Sequence, residues 1–135
     1  MTNEQLIREA ILARQKAHAP YSDFYVGAAL LTTDGTVYGG CNIENSSYGG
    51  TVCAERVAFC KALSEGERDF SAIAIVGAVR GGELGTPCMP CGICRQFMSE
   101  FCQEDFKILT LQGDRVAIST LGELLPGAFY LNDHK

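Results

Sequence analysis

The sequence predicts an α/β fold: a three-layer α/β/α sandwich around a mixed five-stranded sheet. Three observations carry that prediction. A strand pair joined by a tight turn is followed by strands alternating with helices, which mixes antiparallel with parallel pairing. Residues 25–32 and 71–79 are continuous apolar runs, the pattern of strands covered on both faces. The chain has 135 residues, 47% of them hydrophobic, about one domain and enough to bury a core without disulfides.

Residues 2–18 read as the first helix. Thr2-Asn3-Glu4-Gln5 has the form of a capping box, and Leu6, Ala10, Ala13 and Ala17 recur at helical spacing before Ala19-Pro20 ends the run. Residues 25–32 form a buried strand, Thr33-Asp34-Gly35 a turn, and residues 36–41 the returning strand. Residues 42–50, rich in Asn, Ser and Gly, are loop. A second helix starts near Val52 and stops before Gly66. Residues 71–79 are the third strand, and the Gly- and Pro-rich stretch 80–90 is loop. A third helix spans about residues 91–102. Strands at 106–111 and 116–119 and a short helix at 120–125 complete the order.

Composition removes several classes of function. No apolar run approaches the length of a membrane span, and the polar, acidic start Met1-Thr2-Asn3-Glu4 lacks the features of a signal peptide. A cytoplasmic protein without a membrane partner is expected. The seven cysteines are an odd number, which suits metal binding or chemistry in a reducing compartment better than a disulfide framework. The formal net charge is −5 and no Lys/Arg block occurs, so the basic track that a polynucleotide requires is missing. A small uncharged ligand fits better.

Two segments carry chemistry: Cys53-Ala54-Glu55-Arg56 at the start of the second helix and Pro90-Cys91-Gly92-Ile93-Cys94-Arg95-Gln96 at the start of the third. Cys91 and Cys94 share a helix face, so with Cys53 they offer three thiolates, the ligand number of a catalytic zinc that keeps a position for water. Helix N-termini favour thiolate over thiol. Three thiolates on one divalent cation leave a net negative site. Arg56, three residues after Cys53, is expected to offset that charge by hydrogen bonding to sulfur, although a solvated surface arginine is its plain alternative. Glu55 suits a hydrolytic site, where a carboxylate takes and redelivers the protons of an activated water. Taken alone it could be a first-turn acid facing the helix dipole.

His-x-Glu followed by Pro-Cys-x-x-Cys, with a three-cysteine variant, is the established zinc deaminase signature. The chain resembles the small homotetrameric cytidine deaminases nearly end to end. Beyond the two zinc motifs, the resemblance rests on Ala19-Pro20-Tyr21-Ser22 with Phe24, Val26-Gly27-Ala28-Ala29, Asn42-Ile43-Glu44-Asn45, Ser47-Tyr48-Gly49 and Leu124-Leu125-Pro126-Gly127-Ala128-Phe129. It implies a cytidine deaminase-like fold over residues 1–135, one Zn²⁺ per chain, a small nucleoside substrate and a homotetramer. The implied reaction is hydrolysis of cytidine and 2′-deoxycytidine, in pyrimidine salvage, to uridine and 2′-deoxyuridine with release of ammonia. The resemblance also implies that Asn42 and a buried Glu44 bond a ribose hydroxyl, Phe24 packs on the pyrimidine, and the Ala54 backbone contacts the base. Phe129 would reach a neighbouring subunit's site, with Tyr48 near a subunit contact. Without the resemblance, Phe24 and Phe129 read as core aromatics, and Asn42 and Glu44 as turn residues.

Pro87-Cys88-Met89-Pro90-Cys91 repeats the Pro-Cys-x-x-Cys pattern, but that register would put Pro90 inside the required helical turn. Cys88 stays open as a fourth thiolate, which would close the site and leave Glu55 unexplained. Cys41, Cys60 and Cys102 are expected to pack as small buried residues. His18 and His134 fall outside both motifs and are not expected to bind metal. The rival readings are a blasticidin-type deaminase, a polynucleotide deaminase and a structural zinc module without catalysis.

Overall fold

The computed structural model describes residues 1–131. Its helices are α1 (Asn3–Arg14), α2 (Ala54–Ser64), α3 (Gly92–Phe101) and α4 (Leu121–Leu124). Its strands are β1 (Phe24–Thr32), β2 (Val37–Cys41), β3 (Phe70–Val79), β4 (Lys107–Gln112) and β5 (Arg115–Thr120). The strands lie in the order β2-β1-β3-β4-β5. β3 and β4 pair in parallel, and the other neighbours pair antiparallel. The mixed five-stranded sheet is therefore as the sequence predicts.

The period of two along β1 and β3 divides the core between the faces. Ala28, Leu30, Ile73 and Ile75 point to the side covered by Ala58, Phe59 and Ala62 of α2 and Cys94 and Met98 of α3. Ala29, Ala72, Ala74 and Val76 point to the side covered by Leu6, Ile7 and Ala10 of α1. Helices cover both faces, so the layers are three. α2 lies unusually close to β2, because Gly40 has no side chain: a Cβ there would stand 2.5 Å from the Ala54 carbonyl oxygen and 2.6 Å from the Ala58 nitrogen. That approach sets the height of the α2 N-terminus above the sheet.

One boundary differs in a way that bears on function. α1 stops at Arg14 rather than His18. The N–H groups of Gln15, Lys16 and Ala17 turn to carbonyls three residues back, at 3.1 to 3.2 Å. The His18 backbone leaves the helix altogether. Its N–H donates to Asn42 O at 3.0 Å and its carbonyl accepts from Glu44 N–H at 2.8 Å. Helical spacing persists through Ala17, but pairing with residues 42–44 takes the chain away. The same bonds anchor the loop that carries Asn42 and Glu44.

Cys102 is buried as expected, Cys41 is half-buried and Cys60 is exposed. Cys60 is a correction with a simple cause. α2 buries residues 54, 55, 58, 59 and 62, and position 60 falls on its outer face. His134 lies outside the described residues.

Candidate active site

Cys53 is the N-cap of α2 and Cys91 the N-cap of α3, and neither thiol caps its own helix. Cys94 sits buried in the first turn of α3. The start of α3 is clamped by Arg95, whose Nε donates to Pro90 O at 2.8 Å and whose Nη1 donates to Leu124 O at 2.9 Å. The three sulfurs lie within 4.8 Å of one another, and those of Cys53 and Cys91 are 3.7 Å apart. Sulfurs held about 2.3 Å from a tetrahedral zinc stand about 3.8 Å from each other, whereas a disulfide requires about 2.05 Å. None of the seven cysteines is in a disulfide. The donor set fits zinc.

A hydrogen bond from the Cys94 thiol, assisted by Arg56, pulls the Cys53 thiol down to about 5. Cys94, the donor in that bond and itself buried, is pushed well up. Metal binding must displace the proton held between them. Arg56 Nη2 lies 3.7 Å from Cys53 Sγ, the contact that charge compensation requires. Its Nε is buried with no partner among the described residues, at a cost of about 1–3 kcal/mol. Proximity to the thiolates is what keeps the guanidinium in that place. Glu55 is only 4% exposed, and burial pushes its carboxyl up to about 7. A buried carboxyl poised near neutrality beside the Cys53 and Cys94 thiols has the proton affinity that acid–base chemistry needs.

The second group of expected residues lies at the start of β1 and in the loop after β2. Phe24 opens β1 with its ring partly exposed. Asn42 is buried; its Oδ1 accepts from Val26 N–H at 2.9 Å and its Nδ2 donates to Phe24 O at 2.8 Å. The amide thus clamps the start of β1. Glu44 is half-buried rather than buried, because it lies on a loop and faces residues 21 and 22.

A family model, the cytidine and deoxycytidylate deaminase zinc-binding region, matches residues 1–110. The chain belongs to the cytidine deaminase family. It is 54% identical over 135 residues to a cytidine deaminase of Halalkalibacterium halodurans, covering 98% of both chains. It is 50% identical to one of Sporosarcina psychrophila, covering 98% of this chain and 95% of the relative. The crystal structure of cytidine deaminase from Burkholderia pseudomallei superimposes with a TM-score of 0.87 at 48% identity, over 96% of this chain and 100% of that one. A cytidine deaminase is a zinc-dependent hydrolase, and Cys53, Cys91 and Cys94 fit the zinc.

In this cytidine deaminase fold Cys88 is not among the clustered sulfurs. Burial and the negative charges of Glu55 and Cys53 push its thiol up to about 12, which disfavours it as a thiolate ligand. It packs instead over Gly77, beside Phe24. A Cβ on Gly77 would lie 2.8 Å from Cys88 Sγ and 2.9 Å from Phe24 Cε2, so the bare backbone of β3 is what lets both side chains settle over it. A cavity of about 320 Å³ opens between Phe24, Gly77 and Cys88. Larger hollows of about 500 and 430 Å³ contain none of these groups, so chemistry rather than volume marks the site.

Two expected residues stand apart from the cluster. Tyr48 is 76% exposed in a short 3₁₀ turn (Tyr48–Gly50), edge-on to Tyr21 at 5.9 Å. Phe129 is 65% exposed, and only its backbone is held, by Gln96 Nε2 at 2.8 Å. Sequence reasoning gave no role to Gly77, Arg95, Gln96 or Ser22. The first three act through steric room or carbonyl bonds that no spacing pattern reveals.

Proposed function

We propose that this chain deaminates cytidine and 2′-deoxycytidine by hydrolysis, giving uridine or 2′-deoxyuridine and ammonia. The observation that carries the reading is the buried Glu55 carboxyl beside a three-sulfur metal cluster, with its proton affinity raised to about 7. Zinc held by Cys53, Cys91 and Cys94 would supply Lewis acidity that makes a water acidic enough to attack. Glu55 then does the proton work: it accepts the proton of the attacking water, delivers it to N3 of the ring and assists departure of ammonia from C4. Arg56 offsets the excess negative charge of the thiolates. Phe24 and the Ala54 backbone receive the base, and Asn42 and Glu44 receive the ribose.

Residues 1–135 act as one domain in this reading, in the cytoplasm and in pyrimidine salvage. The net charge of −5 supports a nucleoside over a polynucleotide substrate. Among the described residues no helix is long and apolar enough to cross a membrane. A homotetramer is supported by Tyr48 and Phe129, large aromatic side chains left exposed by their own chain, with Phe129 completing a neighbour's site.

The test is product analysis with cytidine, 2′-deoxycytidine, cytosine and blasticidin S as competing substrates. Ammonia release from the two nucleosides, with cytosine turned over poorly, is expected. Preference for blasticidin S or for cytosine overturns the assignment.

A further inference from the structure

Ser22 lies outside the metal cluster, yet it is bonded to both halves of the substrate rim. Its hydroxyl oxygen is 2.5 Å from Glu44 Oε2 and 3.0 Å from the Phe24 nitrogen. A hydroxyl has one proton, and a carboxylate only accepts, so the directions are fixed. Ser22 Oγ–H donates to Glu44, and Ser22 Oγ accepts the Phe24 N–H. Asp23 between them has a φ of 57°, a left-handed conformation that turns the chain between Ser22 and Phe24. Asp23 is held there by its N–H to Ala19 O at 3.1 Å and by Arg80 N–H to its carbonyl at 3.2 Å.

The arrangement does two things. Glu44 Oε1 also accepts the N–H groups of Tyr21 at 2.9 Å and Ser22 at 3.2 Å, which uses both of its lone-pair positions. Oε2, with Ser22 on one side, has one position left, so a substrate hydroxyl has a single defined acceptor. Phe24 is meanwhile fixed through its backbone at both ends, its N–H by Ser22 and its carbonyl by Asn42 at 2.8 Å.

We propose that Ser22 is a positioning residue that couples the sugar-binding carboxylate to the base-binding ring through one hydroxyl. The proposal rests on the reading above in which Glu44 meets the ribose and Phe24 the base. In this arrangement ribose and pyrimidine are recognised as one unit. Removal of the hydroxyl loosens both contacts at once while leaving the metal and Glu55 untouched.

The experiment compares Ser22→Ala, Ser22→Thr and Glu44→Ala, and the double variant Ser22→Ala/Glu44→Ala, each assayed for bound zinc, kcat and KM with cytidine. Ser22→Ala is expected to keep one zinc per chain and near-normal kcat and to raise KM about tenfold or more, since hydrogen bonds to charged groups are the strong ones. Ser22→Thr, which keeps the hydroxyl, should recover most of that loss. In the double variant the Ser22 change should cost less than it does alone. An unchanged KM in Ser22→Ala, equal losses in the Ala and Thr variants, or loss of zinc overturns the proposal. If Glu44→Ala itself binds cytidine normally, the underlying ribose reading fails; if only Glu44→Ala raises KM, the coupling through Ser22 fails and the ribose reading stands.

Discussion

The metal end and the substrate rim of this molecule treat their glutamates in opposite ways. Glu55, in the first turn of α2, is buried, and desolvation raises its proton affinity to about 7. Glu44, on a loop, accepts bonds from the Ser22 hydroxyl and two backbone N–H groups and is held below its ordinary value. In the proposed reaction one exchanges protons and the other remains an acceptor. Such pairs, separated by environment rather than residue type, are how one fold runs acid–base chemistry beside polar recognition. The supports differ as well. The metal end is carried by two helix starts packed on the sheet, whereas the rim is carried by loops tied together by side-chain hydrogen bonds. Its outermost aromatics, Tyr48 and Phe129, are left to solvent by their own chain.

If the two ends are separable, variants should fall into two groups. The largest effect belongs to the metal end. Cys94→Ser should lower bound zinc well below one per chain and take turnover with it, as metal analysis and ammonia release will show. Full zinc content in that variant would place the ligand elsewhere. Next in size is Gly77→Ala on the substrate side. The added methyl meets Phe24 and Cys88, an overpacking that costs about 1–3 kcal/mol and displaces the Phe24 ring. KM for cytidine should rise about tenfold with zinc content unchanged. Adding Cys88→Ala should make room and recover part of the loss. Zinc loss in Gly77→Ala would show that the ends are not independent.

The smallest effect is a pH dependence at the rim. The folded-state pKa of Glu44 is depressed, so its stabilising contribution is present above its unfolded value, about 4.3, and is lost as pH falls through the folded value. Thermal melting of wild type and Glu44→Gln should differ at neutral pH and converge as pH falls below the ordinary carboxylate value. A difference that grows toward acid pH would contradict the hydrogen-bond account.

The metal end was legible in the sequence because its information is local. Cys91 and Cys94 sit at helical spacing, Glu55 stands beside Cys53, and Pro90 excludes the alternative register. The buried strands β1 and β3 were legible for the same reason, since each apolar run announces its own burial. What escaped was long-range. The end of α1 is set by His18 pairing with Asn42 and Glu44, while the spacing through Ala17 still reads as helix. Cys60 is small and apolar in character, and only the orientation of α2 shows that it faces outward. Gly77 could be read only as a strand residue, because the side chains that need its empty space arrive from β1 and from the loop before α3.

The central claim is that Glu55 moves the protons while the sulfurs alone hold the metal. Its most direct test is ammonia release from cytidine by the zinc-loaded wild type and by Glu55→Ala, with zinc measured on the same samples. Retention of zinc with turnover lowered by about 10²–10⁴-fold is predicted. Substantial turnover in a zinc-replete Glu55→Ala protein would contradict the account.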